Sequence, residues 1–156
     1  MGICGTAMDA SIYNHGCLDM TEKTIGFTCG AFDLLHVGHL HLLQYSKSMC
    51  DTLLVGLHTD PTIDRPNTKN KPVQSTFERY MQLSACKYVD SIIPYDTEHD
   101  LTNILATVDV KFRFVGSDYI GKPITASDLC QSLGIKVIYV PRYHDYSSTE
   151  LRGRLK

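Results

Sequence analysis

Apolar residues in this chain fall into short continuous runs separated by stretches of helical period. The run Ile25-Gly26-Phe27-Thr28-Cys29 reads as a buried strand, and similar runs recur at 51–57, 89–94, 110–116 and 135–140. Continuous rather than alternating apolarity suits parallel strands covered on both faces. The segments between them read as helices: from Leu40 to about Met49, from Ser75 to about Lys87, 101–106 and 125–133. Ser75 with Glu78 three residues on forms a capping box, and Gly134 stands at a C-cap. Ser147 or Ser148 caps a last helix through Leu155. This βα alternation predicts an α/β domain with a doubly wound, mostly parallel sheet of about five strands and helices on both faces.

Residues 1–22 show neither period, so a flexible N-terminal extension is expected there and a single domain over 23–156. Met1-Gly2-Ile3-Cys4-Gly5-Thr6 fits an N-myristoylation pattern, but the pattern is short and the extension is assigned no role. The composition, 43% hydrophobic and 21% charged, is that of an ordinary globular protein. A net charge of −2 argues against a nucleic-acid partner, which normally meets a basic patch. No apolar run approaches the ~20 residues of a transmembrane helix, and no secretory segment is legible. The six cysteines form no Cys-x-x-Cys pair and no zinc spacing, so a reducing cytoplasm is expected.

Chemistry concentrates in Gly30-Ala31-Phe32-Asp33-Leu34-Leu35-His36-Val37-Gly38-His39-Leu40. A strand, a Gly-containing turn and a helix start make an anion site, because unpaired backbone N–H groups and the helix dipole face the ligand. Gly38 allows close approach of a ligand to the backbone. His36 and His39 could each be an ordinary βα-turn or core histidine, or together a metal pair. No cysteine or carboxylate at ligand spacing supports the metal, so none is assigned. Gly-x-Gly-x-x-Gly and Walker A strings are absent, which disfavours a dinucleotide or P-loop site.

The string Gly30-Ala31-Phe32-Asp33 followed by His36-Val37-Gly38-His39 resembles the cytidylyltransferase family of nucleotidyltransferases, and the likeness extends over about residues 25–155. The resemblance implies a Rossmann-like fold in which His36 and His39 handle the triphosphate, with Cys29, Gly30, Ala31, Phe32, Asp33 and Gly38 around the nucleotide. It carries further roles along the chain. Lys71 aligns with the family's catalytic lysine. Lys69 and Arg79 lie where acceptor contacts are expected. Lys87 begins Lys-Tyr-Val-Asp, where the family often has arginine. Gly116-Ser117-Asp118-Tyr119-Ile120-Gly121-Lys122 resembles Gly-Asp-Asp-Trp-x-Gly-Lys, which places Gly116 and Asp118 by the nucleotide and Tyr119 by the acceptor. Arg142 through Thr149 resembles Arg-x-x-Gly-Ile-Ser-Thr-Thr, which makes Arg142 catalytic and Ser147, Ser148 and Thr149 phosphate binders.

The implied reaction is in-line attack on the α-phosphorus of a nucleoside triphosphate, with pyrophosphate leaving and Mg²⁺ arriving on the triphosphate. A phosphate monoester, with a second pKa near ~6, attacks without a general base. Within the family the small single-domain form acting on glycerol 3-phosphate with CTP is the first expectation, as a homodimer. Members acting on choline or ethanolamine phosphate, heptose phosphate or flavin mononucleotide, some with ATP, remain the alternative. So does a non-catalytic nucleotide-binding module, which the departures at Lys87, Ser117 and Asp145 leave open.

Overall fold

The computed structural model describes residues 22–142 and 145–155, so the expected extension at 1–22 lies outside it except for Glu22, as do Tyr143, His144 and Lys156. The elements are β1 (Ile25–Gly30), α1 (Val37–Ser48), β2 (Thr52–His58), α2 (Thr76–Ser84), β3 (Ser91–Tyr95), α3 (Glu98–Thr107), β4 (Val110–Gly116), α4 (Ser127–Ser132), β5 (Lys136–Val140) and α5 (Ser148–Arg154). A short 3-10 turn, Ser117–Tyr119, follows β4. The strands form one sheet in the order β3-β2-β1-β4-β5, every pair parallel. The chain winds outward from β1 to β3, then crosses back to β4. The strand order therefore reverses between β1 and β4, and their carboxyl ends border the crevice where such sheets bind ligands.

The two faces carry separate cores. Leu53, Val55 and Leu57 of β2 join Leu43 of α1, Leu83 of α2 and Phe114 on one side. Leu54, Phe27, Tyr95, Leu101, Leu105 and Cys130 pack against α3 and α4 on the other. Alternation of β2 between these faces explains why its sequence reads as unbroken apolar residues. Gly56 lets side chains of β1 and β3 pack over β2, because a Cβ there would lie 2.8 Å from Phe27 Cζ, 3.0 Å from Cys29 Cβ and 3.2 Å from Tyr95 Cε1.

Local chemistry sets the helix limits. The expected capping box on α2 is present, with Ser75 Oγ accepting from Glu78 N–H and the Glu78 carboxylate accepting from Ser75 N–H. A second box, Thr97 with Asp100, starts α3 three residues before the apolar period does. Helix α1 starts at Val37, not Leu40, because the His36 ring is its N-cap. Gly134, with φ of +70°, closes α4 as expected. Among the described residues no helix is long and apolar enough to cross a membrane.

Candidate active site

The turn between β1 and α1 is held in a strained shape. Phe32 and Leu34 both adopt left-handed backbone, with φ of 50° and 51°. Each such residue costs on the order of 1–2 kcal/mol, so neighbouring contacts must hold it. Asp33 lies between them and supplies the hold. Its carboxylate accepts from the N–H groups of Val73 (3.0 Å) and Gln74 (2.9 Å) and pairs with Arg152 at 2.5 Å. Its carbonyl accepts from Ser148 Oγ at 2.8 Å, and Leu34 N–H donates to Gln74 Oε1 at 2.8 Å. Burial alone would raise the Asp33 pKa, but the hydrogen bonds from Gln74 and Val73 and the Arg152 charge outweigh it and hold the carboxyl below its ordinary value. Asp33 was expected at the nucleotide. Its oxygens are instead committed to protein groups, and it joins the turn to the loop before α2 and to α5.

That turn presents the two histidines. The His36 Nδ1 accepts from Gly38 N–H at 3.0 Å, which puts the proton of the neutral ring on Nε2 and makes that nitrogen a donor. His39 stacks on His36 with ring centroids 3.9 Å apart and tilts against Phe32 at 5.2 Å. Among the described residues the buried Nδ1 of His39 has no hydrogen-bond partner. Burial first, then the adjacent His36, pushes the His39 pKa down to about 3, so this ring is neutral at pH 7.

A cleft of about 480 Å³ opens over the ends of β1 and β4. His36, His39, Gly30, Ala31, Phe32 and Gly38 line it, and Cys29 forms part of its floor. From the second half of the chain come Gly116, Asp118, Tyr119, Arg142, Ser147, Ser148 and Thr149. A Cβ at Gly116 would meet Asp118 Oδ1 at 2.5 Å, so a side chain there would displace the Asp118 carboxylate. Arg142 is tethered by its own loop, one Nη donating to Tyr146 carbonyl at 2.6 Å. Ser147 is the N-cap of α5, its Oγ accepting from Glu150 N–H at 3.1 Å. The expected phosphate segments thus converge although more than 100 residues of sequence separate Asp33 from Ser148, which are joined by a hydrogen bond.

Other expected residues stand elsewhere. Lys69, not Lys71, reaches the cleft, with Nζ 3.2 Å from Tyr119 Oη. Lys71 is exposed, and its carbonyl accepts weakly from Arg152 at 3.4 Å. Arg79, expected by the acceptor, is not a surface residue and has its guanidinium engaged within the protein. It is 1% exposed, and its guanidinium donates to the carbonyls of Gln74, Ala31, His58 and Thr59 and to Thr76 Oγ1. Lys87 is exposed over Tyr88 at 5.1 Å, beside Asp90, which accepts from Leu53 N–H at the amino-terminal end of the sheet. That is the end opposite the cleft, so Lys87 does not join the nucleotide site here.

Sequence reasoning missed Arg152 and the polar wall formed by Arg65, Tyr95, Glu98 and Arg113. A positive residue on the inner side of the last helix, four residues after Ser148, was the available signal for Arg152. The donors that do line the phosphate side are cationic or neutral and suit an anion. A divalent ion would come in on the triphosphate.

A family model described as cytidylyltransferase-like matches residues 27–154. The bifunctional protein HldE of Caulobacter sp. strain K31 is 35% identical over 131 residues, 84% of this chain and 27% of that protein. The HldE of Campylobacter fetus is 34% identical over 116 residues, 74% of this chain and 25% of that one. The chain thus spans about a quarter of the length of these curated relatives. A crystal structure of the lipopolysaccharide core biosynthesis protein from Thermoplasma volcanium superposes with a TM-score of 0.61 at 26% identity, covering 80% of this chain and 99% of that one. With the stacked histidines at the first turn, the hydroxyl-rich start of α5 and a match over nearly the whole domain, this chain belongs to the cytidylyltransferase-like family and is a nucleotidyltransferase.

Proposed function

We propose that the chain transfers an adenylyl group from ATP to a sugar phosphate of the heptose class and releases pyrophosphate. The observation that carries the transfer chemistry is the convergence of His36, His39, Arg142, Ser148 and Thr149 on one cleft at the β1/β4 crossover. The relatives support the choice of acceptor and base. Heptose phosphate and ATP belong to the alternative branch named on sequence grounds, and likeness to a lipopolysaccharide core biosynthesis protein favours a sugar over glycerol. CTP with glycerol 3-phosphate, the first expectation, becomes the competing arm of the test.

In this reading the acceptor phosphate attacks the α-phosphorus in line, and the α–β bridging oxygen leaves with pyrophosphate. The His36 Nε2–H donates to charge gathering on the phosphates, its direction fixed by the bond from Gly38 N–H. His39, neutral and packed against His36 and Phe32, adds a second donor that needs no reorganisation during transfer. Arg142 and the α5 N-terminus neutralise the departing pyrophosphate. Lys69 reaches the same space from the loop after β2.

Pyrophosphate release measured with ATP and CTP against heptose phosphate, glycerol 3-phosphate and ethanolamine phosphate tests this. The expected result is turnover with ATP and the sugar phosphate at least tenfold above every other pair. Faster turnover with CTP and glycerol 3-phosphate would return the reaction to the first expectation. Nucleotide binding without pyrophosphate from any pair would reduce the chain to a binding module. A homodimer, expected from the family, is checked by sedimentation of the same preparation.

A further inference from the structure

The cleft has a second limb on the α3/α4 face of the sheet, away from the histidines. Arg113 of β4 points into this face and is 3% exposed. One Nη donates to the carbonyl of Thr125 and lies 3.5 Å from Cys130 Sγ. Among the described residues no carboxylate lies within ion-pair distance of Arg113, and its buried Nε has no partner. The acid of this limb, Glu98, is engaged by Arg65 at 2.5 Å and by the Thr125 hydroxyl. Arg65 too has an unpartnered, buried Nε. Arg65, Glu98, Arg113 and Thr125 all line the cleft.

Folding does not account for this arrangement. A buried cation without a counter-charge is costly, and an apolar side chain of similar volume would pack against Cys130 without that cost. Both guanidinium groups instead line this limb, so oxygen brought by a ligand would meet them there. Two arginines against one carboxylate leave the limb positive, because burial keeps the Cys29 thiol and the Tyr95 hydroxyl in their neutral forms. Such a limb accepts hydroxyl or anionic oxygen and disfavours a quaternary or primary ammonium group.

We propose that Arg113 is the acceptor-specifying residue, its guanidinium donating to an oxygen of an oxygen-rich acceptor seated against Arg65 and Glu98. The phosphate to be nucleotidylated then lies toward His36, and the rest of the acceptor fills this limb. The inference deepens the proposed function but rests on it only in requiring a second substrate beside the nucleotide.

Steady-state kinetics of the wild type, R113M and R113K test it, with each substrate varied in turn and the acceptor taken as whichever compound of the panel turns over best. In R113M the acceptor KM rises at least tenfold while the nucleotide KM stays within twofold. The preference for the sugar phosphate over ethanolamine phosphate falls at least tenfold. R113K, which keeps the charge but not the fork, lies between the two. An acceptor KM within twofold of wild type in either variant overturns the proposal, and so does a parallel rise of both KM values. If R113M does not fold, R113K alone decides by the same split. Should the panel select glycerol 3-phosphate with CTP, the heptose reading fails, while the KM split still tests Arg113.

Discussion

At His39, packing and chemistry pull on the same atom. Burial against Phe32 and His36 keeps the ring neutral, and a neutral ring carries one N–H to donate. Removing it in H39A should lower kcat by about 10²–10³, the usual loss for one preorganised donor, while nucleotide affinity measured by calorimetry changes only a few-fold. The same burial links stability to pH. The unfolded ring takes a proton below 6.5, whereas the folded ring does not until about 3, so the unfolded state binds more protons across that window. Stability is therefore fullest above pH 6.5 and falls as pH drops toward 3, by up to about 1.4 kcal/mol per pH unit from this group. Urea unfolding of wild type and H39Q at pH 7, 5.5 and 4.5 should show the difference shifting toward H39Q at each step down. Both histidines stood out in the sequence because Gly30-Ala31-Phe32-Asp33 and His36-Val37-Gly38-His39 together resemble a family motif, whereas the local turn alone left them ordinary. Arg113 did not, because a lone arginine inside an apolar strand carries no periodic signal and its meaning depends on partners far along the chain.

Elements matter here through the loops that join them. The β1–α1 turn, the loop before α2 and the start of α5 meet at Asp33, which offsets the strain of Phe32 and Leu34. D33A leaves two N–H donors and the Arg152 guanidinium without their acceptor, and should cost about 3 kcal/mol in chemical denaturation. R152M removes a single partner and should cost less, with activity falling more than stability because α5 loses its tie to the histidine turn. Helix and strand order was readable from periodicity, and the Ser75–Glu78 cap from its Ser-x-x-Glu spacing. The start of α3 was not, because Thr97 and Asp100 act by hydrogen bonding and leave no apolar trace. Alignment across the loop after β2 favoured Lys71, but the fold brings Lys69 against Tyr119. K69M should therefore reduce kcat/KM at least fivefold more than K71M in the pyrophosphate assay.

Across the whole molecule, the strand order decides which sequence-distant groups can meet. Reversal between β1 and β4 gathers the cleft at one end of the sheet, and among the described residues the other end carries contacts such as Asp90 with Leu53 N–H and Lys47. Arg79 and Lys87, close in sequence and both expected at the site, fall on opposite sides of this division. From α2 the Arg79 guanidinium reaches carbonyls at the ends of β1 and β2 and at the α2 start, binding the rim of the cleft from beneath. R79M strands those carbonyls in a buried place, where each lost acceptor bond costs about 1 kcal/mol or more. It should lower the urea midpoint clearly and reduce turnover with both KM values rising, because the whole rim loosens rather than one subsite. K87M, at the far end of the sheet, should leave the urea midpoint and both KM values within error. A nucleotide KM that rises in K87M without loss of stability would show Lys87 reaching the ligand in another arrangement of the chain, and would overturn the division of the sheet into a chemical end and a structural end.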